Sequence, residues 1–528
     1  MRLPARFETL FAAAALIATS GSCMTARDAQ LQSDAIVEDV LGDHSGRLND
    51  WRREIIELPT ERDPAPQQAP TTVTVAPGTR MLSLRDALRT AIETNRGYRT
   101  EMESLYRTAL SLFATRFQFS PQLSSTLNYV FAGADPGAES GSATFGGGVS
   151  QRFPWGGSIS ADANVSNAQN WNGASDPYDA SVSIRLTQPL LRGAGFAVTL
   201  ESLTQAERSL MYQIRDFELF RENFSIDVAS RFYDLVQQKR ALENQRANLD
   251  ELSFAYRKAE AMFRLGDIIE LDVLRARRSE LTAQNDLIAG VESYRLAVDR
   301  FRIFLGLPED VRIEVQDEAP EFVPAPFDVD SAIEVALKNR LDVLTRRERL
   351  QDVERQIKLA ENGLLPDLNL NLAYTLGSQG GSNLFGEPFD QQSVSASVSY
   401  ELPVIRVDER ERMRNAQIAL GRARRDYDEF EQTLVIEVRA RFRELQRRTQ
   451  SLDIQRELIA DQERNVEIAK LRVEQGDFSN RDVFEATQAL LEARNTLIQE
   501  QVNYELARLA LIRDLGILFI DENGMWTE

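Results

Sequence analysis

The chain has 528 residues, a formal net charge of −20 and a mean hydropathy of −0.34, with 43% hydrophobic and 27% charged residues. Past the N-terminus no apolar run approaches the roughly 20 residues of a membrane helix, which excludes a polytopic helical membrane protein but not a β-barrel, whose alternating strands carry little bulk hydropathy. The acidic balance argues against nucleic acid as a partner and otherwise speaks to solubility or an acidic lumen.

Residues 1–22 read as an export signal: Arg2 and Arg6 precede the apolar stretch Leu10 to Ala18, and small residues follow. The single cysteine, Cys23, comes next and has no internal disulfide partner. It is placed for lipidation as the first residue of a bacterial lipoprotein, although Ser20 stands where such sites carry a large aliphatic residue. An ordinary signal peptide with an incidental cysteine is the alternative. Residues 23–80 are expected to form an irregular tail, since Pro59, Pro64, Pro66, Pro70 and Pro77 favour extended chain.

The first large block covers 81–307. Ser83 caps a helix expected to run to about Phe117, and strands follow over about 122–188. A long helix from about Val198 to Phe263 carries the stripe Phe217, Phe220, Phe224, Val228, Phe232 and Leu235 at spacings of three and four. Leu265-Gly266-Asp267 breaks it, and a last helix covers about 271–305. A linker at 308–328 leads to a second block at 329–517. There a helix (Val329 to Glu361), strands (about 367–402), a long helix (Asp408 to Glu474), a break near Gly476 and a helix (Arg481 to Leu515) repeat the order. Residues 518–528 are a C-terminal tail.

The two blocks are copies. Gly266-Asp267, Asp272-Val273, Leu281, Asn285, Tyr294 and Leu305-Gly306 recur 210 positions later (476 − 266) as Gly476-Asp477, Asp482-Val483, Leu491, Asn495, Tyr504 and Leu515-Gly516. Pro121, Leu123, Leu127 and Tyr129 recur as Pro366, Leu368, Leu372 and Tyr374. Such a period is far too long for a short solenoid unit. A helix of about 65 residues spans roughly 100 Å, which no globular core requires. The two shorter helices of each copy match it end to end, so each copy reads as a coiled-coil hairpin with its tip at the glycine.

The strands alternate. Leu368, Leu370, Leu372 and Tyr374 face one way and Asn369, Asn371 and Thr375 the other; Val394, Ala396, Val398 and Tyr400 alternate with serines. This suits either a half-buried soluble sheet or a lipid-facing barrel with a wet lumen. Small polar residues on the second face, and long Gly/Ser-rich loops set against the short Pro154-Trp155-Gly156-Gly157, favour the barrel. Copy one holds more strand sequence than copy two, enough for one added hairpin turning at Pro154–Gly157. Six strands are too few for a wide lumen, so such a barrel is shared among chains.

No catalytic constellation is found. The one histidine, His44, lies in the tail, Gly146-Gly147-Gly148 opens no helix, and no cofactor or metal motif is present. A coiled-coil scaffold with a soluble sheet and an autonomous porin are the competing function classes.

Taken together, the doubled layout, Ala87-Leu88 and Ala91-Ile92 ahead of Asn95 with their echo Ala332-Ile333 and Ala336-Leu337 ahead of Asn339, Gln188-Pro189-Leu190-Leu191, and the tips Gly266 to Leu274 and Gly476 to Phe484 resemble the TolC-like outer-membrane efflux proteins over about 81–517. The resemblance implies an α+β membrane protein with two tandem repeats. It implies a homotrimer whose strands close one barrel among outer-membrane lipids and whose helices form a periplasmic tunnel. A periplasmic adaptor and, through it, an inner-membrane pump are the implied partners, and the duct is passive, not an enzyme. Family members usually give four strands per chain, so the added hairpin leaves four or six open. The adaptor-contact tips map to Arg264, Leu265 and Gly266, and to Glu474, Gln475 and Gly476. Carboxylates that narrow the periplasmic gate map to Asp482 and Glu485. Asp272 matches a residue that latches to a tyrosine on the next hairpin. Val473 holds that tyrosine position and Phe478 that of a latch arginine, so the latch itself does not carry over.

Overall fold

The structure, a computed structural model, describes residues 26–44, 80–133, 139–170, 178–317, 328–381, 389–474, 480–521 and 523–527. The expected signal segment, Cys23, the proline-rich stretch, Gln475 and Gly476 lie outside the described residues. No described helix is long and apolar enough to cross a membrane.

In chain order, α1 (Ala26–His44) and β1 (Arg80–Leu82) precede α2 (Leu84–Thr94) and α3 (Arg96–Phe117). Four strands follow: β2 (Gln122–Gly133), β3 (Glu139–Arg152), β4 (Ser158–Asn170) and β5 (Tyr178–Pro189). The short α4 (Phe196–Thr199) leads to the 65-residue α5 (Glu201–Leu265), then α6 (Glu270–Leu305) and β6 (Ile313–Val315). The second copy runs α7 (Val329–Asn339), α8 (Leu341–Gly363), β7 (Asp367–Gly381), β8 (Gln391–Glu401), α9 (Val407–Glu474) and α10 (Asn480–Asp514). A hairpin of β9 (Phe519–Ile520) and β10 (Trp526–Thr527) ends the described chain. The α+β class and the doubled order agree with the reading of the sequence.

Three expectations need correction. The tail is not irregular throughout, because α1 forms a 19-residue helix. Val37 and Val40 are buried, and the Tyr106 hydroxyl donates to Asp34 Oδ1 at 2.5 Å, so tertiary packing holds a helix that composition did not announce. Nor is the segment 308–328 merely a linker: within it β6 pairs in parallel with β1, Arg80 opposite Ile313 and Leu82 opposite Val315. Finally, the helix begun at Ser83 does not reach Phe117 unbroken. Asn95 leaves helical geometry (φ −67°, ψ 129°), as does Arg340 in the second copy (φ −61°, ψ 128°).

The physical reason for these breaks lies in what docks against them. Asn95 Nδ2 donates to the Phe304 carbonyl at 2.6 Å, its Oδ1 accepts from the Tyr98 N–H at 2.8 Å, and the Thr94 hydroxyl donates to the Leu305 carbonyl. Gly306 (φ 78°) ends α6 against this break, in a Schellman turn closed by bonds from the N–H of Gly306 to Ile303 and of Leu307 to Arg302. Gly516 (φ 69°) does the same for α10 against Arg340, whose guanidinium is held by Asp342 at 2.7 and 3.0 Å.

Two compact units are distinguished: residues 1–59, 104–213 and 350–423, and residues 60–103, 214–349 and 424–528. The first contains the six-stranded sheet, of order β2-β3-β4-β5-β7-β8 and antiparallel throughout. The second is mainly helical and holds the two small sheets β1–β6 and β9–β10. Along α9, Leu434, Val438, Leu445 and Leu452 are buried at spacings of four and seven, and meet Tyr504 and Leu511 of α10 and Leu515 just past its end, at seven and four. This is coiled-coil spacing. On α5, Phe217 and Phe224 close around Tyr98, with ring centroids 5.7 and 5.2 Å away. Gly290 of α6 lets that helix approach α5, since a Cβ there would meet Gln245 Oε1 at 2.4 Å and Leu242 Cδ2 at 2.9 Å.

Candidate functional site

Pairing brings the alternating residues of all six strands into two continuous faces. Leu123 lies opposite Val149, Val149 opposite Ala161, Ala161 opposite Ile184, Ile184 opposite Tyr374, and Tyr374 opposite Val394. That face is open to the outside: Leu123 is 88% and Val394 79% exposed. Exposed apolar surface on this scale marks an interaction site, and here it crosses a whole sheet. The other face carries Ser124, Thr144, Ser160, Ser183, Asn371 and Ser397. The short turn at the helix end of the sheet has Gly156 at φ 101° and stacks Phe153 on Trp155, centroids 4.6 Å apart. Tyr129 and Phe131 lie toward the opposite end. Aromatics at both ends of an apolar band are the girdles of a membrane barrel.

The first hairpin tip is fully described. The N–H groups of Gly266 and Asp267 bond to Phe263 and Met262, a third Schellman turn that requires the positive φ of Gly266 (86°). Leu265 is 78% exposed, and Phe263, Ile269, Leu271 and Leu274 are exposed around it. Arg264 points into solvent and pairs with Glu260 at 2.7 Å, a contact of little energetic weight at such exposure. Of the second tip, Glu474 ends α9, while Gln475 and Gly476 lie outside the described residues.

Asp482 and Glu485 sit in the first turns of α10, three apart and so on one face. Asp482 is half-buried and Glu485 exposed. Asp272, at the matching position of α6, is ion-paired with Arg275 at 3.2 Å.

One feature was not anticipated from the sequence. A groove of about 870 Å³ is lined by Gln237, Gln245 and Asn248 of α5, Asp286 of α6, and Asn495 and Gln499 of α10. Asn244 Nδ2 donates to Asn495 Oδ1 at 2.7 Å, and Gln237 bonds Gln499. The signal was present: Gln237, Asn244 and Asn248 step by seven and four, as do Gln488, Asn495 and Gln499. An amide seam thus replaces leucines at coiled-coil positions, which specifies register at some cost in stability.

Glu222 of α5 is buried, and its carboxyl is pushed up to about 8 by burial first and by Glu218 second, against the pull of Arg513 and Arg340. The folded chain therefore keeps a proton that the unfolded chain releases near pH 4.5. Stability falls as pH rises from about 4.5 to 8 and is unaffected by this group below that window. Glu222→Gln is expected to raise the unfolding midpoint at pH 8 and to leave it unchanged at pH 4; an equal midpoint at pH 8 contradicts this.

Comparisons with known proteins agree with this geometry. Residues 332–516 match the family described as outer membrane efflux protein. The chain is 21% identical to the outer membrane protein TolC of Escherichia coli (strain K12) over 376 residues, covering 68% of this chain and 74% of that one. Over 211 residues it is 23% identical to nodulation protein T of Rhizobium leguminosarum bv. trifolii, covering 40% and 45%. Among solved structures it is similar in fold to the Campylobacter jejuni CmeC outer membrane channel (TM-score 0.62, 16% identity, 82% and 85% covered). It is likewise similar to the outer membrane protein VceC of Vibrio cholerae (TM-score 0.62, 16% identity, 82% and 96% covered).

Proposed function

We propose that the chain is an outer-membrane exit duct of the TolC-like efflux kind, to which its residues 332–516 and its similarity to TolC point, and that three copies close their sheets into one barrel and their helices into a periplasmic tunnel. A periplasmic adaptor and an inner-membrane pump then deliver cargo to it, and the duct passes that cargo without chemistry of its own. The observation that carries this reading is the continuous apolar face of the sheet, which has no covering layer among the described residues and suits lipid. Purified protein in a planar bilayer should give trimer-sized, cation-preferring conductance. A water-soluble monomer without conductance would overturn the reading.

The adaptor docks, in this proposal, on the exposed apolar tip around Leu265. A few well-packed residues at the centre of a contact carry most of its energy. Leu265→Asp should reduce export at least tenfold in cells that depend on this duct, with normal amounts of trimer in the membrane. Wild-type export by that variant would remove Leu265 from the contact.

The gate is proposed to narrow where Asp482 and Glu485 of three chains approach one axis, since like carboxylates brought together bind cations. Asp482→Ala should weaken block of the conductance by divalent cations, and unchanged block would exclude the ring.

A further inference from the structure

The added hairpin β3–β4 is threaded into the sheet rather than hung from it. β2 pairs with β3 over Gln122–Gly133, and β4 pairs with β5 from Ser158 to Asn167. Copy one thus contributes four strands and copy two contributes two to a single order, with β2 and β8 at its ends. β2 runs away from the helices and β8 runs back toward them. An end-to-end neighbour of the same kind therefore continues the antiparallel alternation.

The register also fixes the slope of the strands. Following pairs across the sheet from Gln122 leads to Ser150, Ser160, Arg185, Ala373 and Ser395. Gln122 is the helix end of β2, whereas the helix end of β8 is Glu401, six residues beyond Ser395 (401 − 395). Six residues of drift over five pairings, at about 3.3 Å per residue and about 4.8 Å per strand, is a tilt of about 40°. That lies inside the range of roughly 35–45° found in closed membrane barrels.

We propose that the duct's outer-membrane barrel has eighteen strands, six from each chain, closed by β2 of one chain against β8 of the next. This rests on the trimeric reading above. Matching apolar to apolar across that joint places Glu401 opposite either Gln122 or Ser124 of the next chain. The resulting wall has a backbone diameter of about 34–38 Å, against about 24 Å for twelve strands at similar tilt. Its inner face is a neutral surface of small hydroxyls and amides. The charges well inside the ladder are Asp162 and Arg185, which pair with Ser183 and Ser160 and so stand diagonal to each other. The exit therefore suits bulky, hydrated polar cargo and adds no charge filter to whatever the tunnel admits.

The test uses the full chain, purified in detergent and in lipid nanodiscs. Thr126→Cys with Ser397→Cys, or Asn128→Cys with Ser397→Cys, covers the two registers of the joint and should give covalent trimers under oxidation, with neither single variant doing so. Imaging of the same trimers should count eighteen strands. A trimer with a twelve-stranded wall, β3 and β4 lying outside it and β2 paired directly with β5, overturns the proposal but leaves the trimeric reading standing. A monomeric native mass with no covalent trimer overturns both.

Discussion

Gly306→Ala is expected to prevent the chain from reaching its folded, assembled form. A Cβ at this position would lie 2.1 Å from the Thr94 carbonyl oxygen and 2.7 Å from its carbon, both backbone atoms of the helix break. The residue also needs φ 78°, which costs an L-residue about 1–2 kcal/mol by itself. Relief requires α6 to move away from Asn95, and that breaks the bonds from Thr94 and Asn95 to Leu305 and Phe304. Together these losses approach the roughly 5–15 kcal/mol that holds a typical domain folded. Gly516→Ala meets Arg340 N and Asn339 C at 2.9 Å and should be milder. Gly193 has a similar φ of 79° with nothing within 4 Å, so Gly193→Ala isolates the conformational cost. Trimer yield and unfolding midpoint should fall in the order Gly193, Gly516, Gly306. A Gly306→Ala protein that melts like the parent contradicts the account.

Ile184→Arg is expected to cut the amount of membrane-inserted protein by an order of magnitude or more. Ile184 sits mid-strand on the apolar face of β5, between Ala161 and Tyr374. An arginine on the lipid face near the bilayer centre costs about 2–4 kcal/mol, and a trimer carries it three times. Its neighbour Ser183 points to the polar face, so Ser183→Arg supplies the same charge at the same depth without the lipid cost. The two variants are compared by membrane fractionation and by the heat-resistant trimer band on gels. Equal losses would mean that the apolar face is not the lipid face.

Much of this architecture was legible because its signals are periodic. Val394 to Tyr400 alternates with serine and forms β8; the phenylalanine stripe from Phe217 to Phe232 forms the buried face of α5; Gly266 turns the tip. The breaks at Asn95 and Arg340 were not legible, since neither residue is a strong helix breaker and what docks against them, Phe304 at the first and Gly516 at the second, acts through tertiary contact. α1 was missed because proline content further along dominated the reading of the tail, whereas two valines and one tyrosine bond hold the helix. At the candidate site, Leu265 was named through the resemblance, whereas the exposed cluster of Phe263, Ile269, Leu271 and Leu274 around it was not read. The amide seam went unread because glutamine and asparagine on a long helix look like solvated surface until a partner helix is seen to carry the same spacing. The pairing of Asp272 with Arg275 also needed coordinates, since Arg275, Arg277 and Arg278 all lie within reach along the chain.

The paired breaks have a consequence for how a duplicated chain diverges. At the first, an asparagine amide ties the kink to the passing helix; at the second, an arginine clasps its own neighbouring aspartate. The contacts have been exchanged completely, yet both kinks receive a left-handed glycine from the end of their own hairpin. The two copies share the course of the main chain and differ in their polar fastenings. Remote relatives of this protein are therefore better sought by the spacing between a capped first helix and that terminal glycine than by any one polar residue.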